Sequence, residues 1–193
     1  TNEIIKFCAS SKKFMPHFHV PLQSGSDKIL GAMRRRYKRD LFVNRVTRIK
    51  QTIADACIGV DVIVGFPGET DKDFLDTYNF LNELDISYLH VFTYSERPNT
   101  DAIEMSEIVS KEIRRERSQM LRILSDKKQR FFHDQFIGKY RPVLFENMKN
   151  GKLLGHTDNY IQIQMEGGSE LINSIHSVKL VDNHGTVVDG KLS

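Results

Sequence analysis

The spacing of apolar positions alternates between helical and strand periods and loses the helical period at Gly138, and those changes outline the architecture of the chain. Residues 3–10 carry Ile4, Ile5, Phe7 and Cys8, consistent with the end of a helix. From Pro16 to Leu22 the pattern alternates through Phe18, Val20 and Leu22, which predicts a strand with His17 and His19 on its other face. The polar turn Gln23-Ser24-Gly25-Ser26 follows, and Ser26 is a suitable N-cap for a helix over 27–36. Asp40 is placed to cap a longer helix whose apolar positions Leu41, Val43, Val46, Ile49, Ile53 and Ala56 follow the 3.6-residue period. A strand over 58–64, a helix over 71–84 with Phe74, Leu75, Tyr78, Leu81 and Leu84 on one face, and a strand over 88–94 come next. A long charged helix runs from Ser110 to about Phe136, with Ile113, Met120, Leu121, Leu124, Phe131 and Phe132 toward the core and its charges on a solvated face.

This alternation predicts parallel βα units. Three strands neither close a barrel nor make a comfortable sheet alone. Thr1-Asn2-Glu3 also reads as the interior of a longer protein. At Gly138 the helical period disappears. Five short alternating runs follow, over 140–147, 153–157, 160–165, 175–181 and 187–192, separated by Asn150-Gly151, Gly167-Gly168 and Asn183-His184-Gly185. They predict a small antiparallel barrel of the oligonucleotide-binding kind, with a domain boundary at 137/138.

The stretch Gly59–Thr70 is the most informative. A buried strand stops in Gly65-Phe66-Pro67-Gly68 and opens a helix whose positive end suits Glu69 and Asp71. Ligands bind at the C-terminal ends of parallel strands. Together with Gln23–Ser26 it predicts one pocket mouth, with Tyr94 at the third strand end lining it. A plain βα loop is the alternative reading.

Composition narrows the function classes. Of 193 residues, 39% are hydrophobic and 27% charged, and 28 Lys and Arg against 25 Asp and Glu leave a net charge of +3. That balance permits a polyanionic partner without requiring one. The basic residues cluster: Arg34, Arg35 and Arg36 form one run, and Lys139, Arg141, Lys149 and Lys152, with His156 and Tyr160, form a second group of cations and an aromatic in the terminal barrel. Charge plus stacking is how such barrels bind single strands. Solvated faces are the rival reading of both groups. Cys8 and Cys57 have no metal-ligand spacing and read as buried free thiols. His17 and His19 find no further ligand at suitable spacing, so no metal site is expected. No apolar run approaches the ~20 residues of a membrane span.

These residues resemble a known family. His17-Phe18-His19-Val20-Pro21-Leu22-Gln23-Ser24-Gly25-Ser26-Asp27, Met33-Arg34-Arg35, Asp61–Thr70 and Tyr94–Ala102 are similar, in order and spacing, to the radical-SAM methylthiotransferases. The resemblance spans essentially the whole chain. It implies an α/β fold: residues 1–137 as the second half of a radical-SAM partial (β/α) barrel, and 138–193 as the family's TRAM domain, an OB-like RNA-binding β-barrel. It implies a transferase in which a [4Fe-4S] cluster cleaves S-adenosylmethionine, the resulting radical abstracts hydrogen, and sulfur and a methyl group are added to tRNA.

The Gln23–Ser26 turn favours the tRNA-modifying branches. The Arg34-Arg35-Arg36-Tyr37 run is closest to enzymes acting at C2 of N6-threonylcarbamoyladenosine 37. By this resemblance Gln23, Ser24, Ser26, Asp61, Gly65, Phe66 and Tyr94 would meet S-adenosylmethionine. Asn99 would sit in a turn with positive φ. The cluster cysteines are not in this sequence, so the chain alone is expected to be inactive, with no catalytic residue of its own. The resemblance also implies a cytoplasmic protein with tRNA as partner. A stand-alone RNA-binding module is the competing reading.

Overall fold

The structure is a computed structural model and describes residues 1–192. Its compact units do not follow chain order: one comprises residues 1–18, 52–57 and 126–193, the other 19–51 and 58–125.

The α/β portion contains α1 (Asn2–Ser10), β1 (His17–Gln23), α2 (Asp27–Ala32), α3 (Arg39–Thr52), β2 (Cys57–Val64), α4 (Asp71–Glu83), β3 (Tyr88–Thr93) and α5 (Lys111–Asp134). The strands form one sheet in the order β1-β2-β3, and β2 pairs with β3 in parallel, from Gly59 beside Tyr88 to Val64 beside Thr93. On β2, Ile58, Val60, Val62 and Val64 are fully buried while Asp61 and Ile63 point to the more open face. Gly59 is buried on that second face because the Tyr88 ring lies over it; a Cβ there would come within 2.7 Å of the Tyr88 Cε2.

Three local expectations are corrected by the packing. Helix α2 ends at Ala32 rather than Arg36, because Arg34 takes a φ of 57° and the Arg34 and Arg35 N–H groups turn back to the Gly31 and Leu30 carbonyls. A left-handed residue closing a helix in this way stops its continuation, so the basic run lies in a loop. On α4 the buried stripe is Asp73, Phe74, Thr77 and Leu81, and Leu75 faces out. On α5, Ile113, Met120 and Phe131 are exposed, while Arg114, Arg117 and Ser118 are buried beside Leu121 and Leu124. The inward face of this helix follows hydrogen-bond acceptors at the strand ends as much as hydrophobicity.

The terminal strands are β4 (Tyr140–Lys149), β5 (Lys152–Thr157), β6 (Gln162–Glu166), β7 (Ile175–Asn183) and β8 (Val188–Leu192). They close into a barrel ordered β4-β5-β6-β8-β7, antiparallel except for the β6–β8 pair. Five strands at these places are what the alternation predicted. Val143, Phe145, Leu153, Ile161, Ile163, Val178, Leu180 and Val188 fill the interior with no exposed surface. Asn150 and Gly151 both have positive φ, 52° and 79°, the conformation that lets a two-residue turn follow the twist of its strands. Both cysteines are free and buried, as expected.

Glycines at two sites have opposite packing, which yields a paired test. A Cβ on Gly155 would strike the Leu144 carbonyl of the neighbouring strand, whereas one on Gly31, in α2, would meet nothing within 4 Å. Gly155→Ala is expected to lower stability by about 1–3 kcal/mol. Gly31→Ala is expected to raise it by up to about 1 kcal/mol. Denaturant titration of both variants checks the signs.

Candidate functional site

The loops after β1 and β2 are tied together by one carboxylate. Asp73 Oδ1 accepts from the Ser26 hydroxyl at 2.9 Å, and Oδ2 accepts from the Lys28 ammonium at 2.9 Å and from the Thr70 hydroxyl at 2.6 Å and N–H at 3.0 Å. The Thr70 hydroxyl in turn accepts from the Asp73 N–H, completing a capping box that starts α4. Burial alone would raise the pKa of Asp73, but the bonds from Thr70, Lys28 and Ser26 outweigh it and hold the carboxyl at about 2. Ser26 also caps α2, as its sequence position predicted. The Ser24 hydroxyl is fully buried, accepting from the Ser26 N–H and bonded to Thr77. Both serine hydroxyls therefore act inside the loop, and Gln23, with a φ of 75°, is the polar side chain of this turn left part-exposed.

The Gly-Phe-Pro-Gly-Glu turn is fixed from beneath by α5. Glu69 is buried, and its Oε2 accepts from the Gly65 N–H and from Arg117 Nη1, each at 2.7 Å. Arg117 also donates to the Glu69 carbonyl and to Asp71. Burial pushes the Glu69 carboxyl above the usual range; the Gly65 N–H and Arg117 pull against that. Arg114 donates to the carbonyls of Val109 and Tyr94 and to Glu96, and its side chain lies against Gly65, where φ is 74°. The glycine is required there twice, for the backbone conformation and for the approach of Arg114.

Above this support lies a cavity of about 810 Å³ at the ends of β2 and β3. Phe66 and Tyr94 meet edge to face, with ring centroids 5.4 Å apart, and both line it, together with Ile63, Phe92, Met33 and Met105. Arg34, Arg35 and Arg97 supply its cations. The cavity thus gathers Phe66 and Tyr94 with Arg34 and Arg35, whereas Gln23, Ser24, Ser26, Asp61, Gly65 and Arg36 are not in its lining. Arg97 is a lining residue that the sequence reading missed. It lies in an irregular loop with no period, and Asn99 in that loop has the expected positive φ, 62°.

Asp61 lies lower on the open face of the sheet. Its Oδ1 is 2.5 Å from His19 Nε2, and its register partner on β3 is His90. The donor atoms of His19, Asp61 and His90 lie within 4.8 Å of one another, a set of types that binds divalent metals. Chain spacing hides this set, because each member comes from a different strand. The His19–Asp61 hydrogen bond already pairs two of the three.

In the barrel-containing unit, Arg141 is largely buried and bridges Asp55 and Asp158. The Lys139 ammonium lies over the Phe136 ring. Lys149 and Lys152 are register partners flanking the Asn150-Gly151 turn. Tyr160, with a φ of 69°, stacks with His17 at 4.0 Å and with His156 at 5.0 Å, yet stays 50% exposed. His156 Nδ1 is bonded to Glu146 at 2.6 Å.

With this geometry established, the relatives of the chain become informative. Residues 1–81 match the model of the Radical SAM superfamily. The threonylcarbamoyladenosine tRNA methylthiotransferase MtaB of Bacillus subtilis is 36% identical over 94% of this chain and 41% of its own length. The tRNA-2-methylthio-N(6)-dimethylallyladenosine synthase of Aliarcobacter butzleri is 35% identical over 99% of this chain and 44% of its own length. The chain is a relative of the radical SAM tRNA methylthiotransferases. It spans less than half the length of these two relatives. Among solved structures, the coproporphyrinogen III oxidase HemN of Escherichia coli, a radical SAM enzyme, aligns with a TM-score of 0.50 at 16% identity, over 72% of this chain and 31% of that one. At that identity the likeness concerns the fold.

Two measurements test the support beneath the methylthiotransferase-like turn. Arg117→Ala leaves the Glu69 carboxylate buried without its cation and is expected to cost about 3–5 kcal/mol in denaturant unfolding. The depressed pKa of Asp73 stabilises the fold above its ordinary value of 3.8, and that stability is lost as pH falls toward about 2. The loss is expected to be about 2 kcal/mol. Asp73→Asn should flatten that part of the stability–pH curve.

Proposed function

We propose that this chain is part of a tRNA methylthiotransferase that adds sulfur and a methyl group at C2 of a modified adenosine 37, with N6-threonylcarbamoyladenosine favoured. The observation that carries the reading is the strand-end cavity walled by Phe66 and Tyr94, on loops held by Asp73, Glu69, Arg114 and Arg117. Residues 1–137 are read as the second half of the radical SAM partial barrel and 138–193 as a TRAM-type RNA-binding barrel. A tRNA-modifying role puts the protein in the cytoplasm. Among the described residues no helix is long and apolar enough to cross a membrane.

The family implies S-adenosylmethionine and iron–sulfur clusters in the longer protein. The donor chemistry at the cavity suits the nucleoside end of that cofactor: aromatic faces for a flat base, and a buried Tyr94 hydroxyl with no hydrogen-bond partner among the described residues. S-adenosylmethionine, bound with its cluster, would supply the radical and the methyl group. Phe66 and Tyr94 would hold the adenine and exclude water from it. Gln23, part-exposed at the end of β1 and outside the cavity lining, would meet only a polar part of the ligand that extends beyond the cavity. Ser24 and Ser26 would act by holding the loop, and Gly65 by allowing the backbone to approach. The chain by itself is expected to be inactive. No cysteine besides Cys8 and Cys57 is in its sequence, and both are buried.

The full-length gene product, expressed in a host whose tRNA lacks 2-methylthio groups, should yield 2-methylthio-N6-threonylcarbamoyladenosine on mass spectrometry of tRNA nucleosides. Absence of any 2-methylthio nucleoside rejects the reading. A second reading, a stand-alone RNA-binding module, draws on the Lys149–Lys152 pair at a hairpin tip. In either case Lys149→Ala with Lys152→Ala is expected to weaken tRNA binding by the chain and to reduce the slope of log K against log salt by about 2. An unchanged slope excludes this tip as the contact.

A further inference from the structure

The charges lining the strand-end cavity are unbalanced. Its lining holds three arginines, Arg34, Arg35 and Arg97, and a single acid, Asp101. Arg34 forms an ion pair with Asp101. Among the described residues no carboxylate pairs with Arg35 or Arg97, so two exposed arginines of the lining carry no counter-charge. Besides Phe66 and Tyr94, which the cofactor's adenine takes in the reading above, the wall holds Ile63, Phe92, Met33 and Met105. An apolar face beside guanidinium groups complements a second ligand that joins a flat group to an anionic one, because guanidinium forks bind carboxylates through paired, charge-assisted hydrogen bonds.

The two relatives differ in this chemistry. The nucleoside in the name of one carries a threonylcarbamoyl group, which ends in a carboxylate; the nucleoside in the name of the other carries a dimethylallyl group, which is hydrocarbon. We propose that Arg35 and Arg97 bind the carboxylate of an N6-substituted adenosine in this cavity, and so select an anionic substituent over a hydrocarbon one. The inference rests on the methylthiotransferase reading and adds to it the residues that set substrate choice. A hydrocarbon placed against a guanidinium group would remove water from it and return no hydrogen bond. Asp101 limits the site by neutralising Arg34, which leaves two readers rather than three.

The test titrates the chain with three free nucleosides: N6-threonylcarbamoyladenosine, its methyl ester, and N6-dimethylallyladenosine. Free nucleosides carry no phosphate, so a response to the carboxylate is not a response to the RNA backbone. The acid is expected to bind about 10-fold more tightly than the ester or the dimethylallyl nucleoside, by calorimetry or amide chemical shifts. Arg35→Ala and Arg97→Ala should each remove most of that preference while changing ester binding less than about twofold. Arg35→Lys should retain part of it, and Asp101→Asn, which frees Arg34, should increase it.

Equal binding of acid and ester overturns the proposal, as does weakening of both ligands alike by the alanine variants or failure of all three to bind. S-adenosylmethionine supplies the remaining arm. If it displaces the acid and loses affinity on Arg35→Ala to the same extent, the carboxylate read here belongs to that cofactor and the proposal falls. Each of these failures leaves the tRNA mass-spectrometric test of the enzyme reading untouched, so the two readings fail separately.

Discussion

The turn after β2 depends on an ion pair that water does not reach. Glu69 and Arg117 are both buried, and removing two charges from water costs several kcal/mol apiece unless each lone pair and proton finds a partner. Here most of them do. One carboxylate oxygen takes the Gly65 N–H and the guanidinium together, the other end of the guanidinium holds Asp71, and the Glu69 carbonyl accepts a third bond. The second carboxylate oxygen has no hydrogen-bond partner among the described residues. The pair is best understood as a device for position. It fixes where Gly65 turns and hence where Phe66 points.

Other features follow from that constraint. Because Gly65 has no side chain, Arg114 can lie against it and reach the Tyr94 carbonyl, which connects the second strand end to the third. Asp73 makes the corresponding connection to the first strand end through Ser26 and Lys28. Loops at strand ends are usually the mobile part of an α/β protein. Here three of them are bonded to one another or to α5, so the Phe66–Tyr94 wall is held by a polar scaffold that lies beneath it.

Much of this was legible in the sequence, but unevenly. The period of apolar residues located the βα units and the five barrel strands, because period is local and each element must bury one face. The Ser26 cap, the Asn150-Gly151 turn and the positive φ at Asn99 were equally legible, each being set by the chemistry of a few adjacent residues. The inward arginines of α5 were not. Arg114 and Arg117 have the composition of a solvated face, and only the acceptors brought near them by the fold make burial tolerable. The internal partners of Ser24 and Ser26 were not legible for the same reason: a hydroxyl next to a pocket motif reads as a ligand contact, and only the fold brings Thr77 and Asp73 to it.

The sequence by itself determined the order of elements, the kind of turn between them and the relationship to the tRNA methylthiotransferases, since all three are written in short runs of adjacent residues. The tertiary structure decided which polar groups are free to act. Ser24, Ser26 and Arg141 are engaged internally, Tyr160 is stacked with two histidines, and, among the described residues, Arg35 and Arg97 are left without a counter-charge around one cavity. A polar side chain is available only when no partner from elsewhere in the chain already satisfies it. Those partners lie from a few residues to more than eighty away in sequence, as Asp55 does from Arg141.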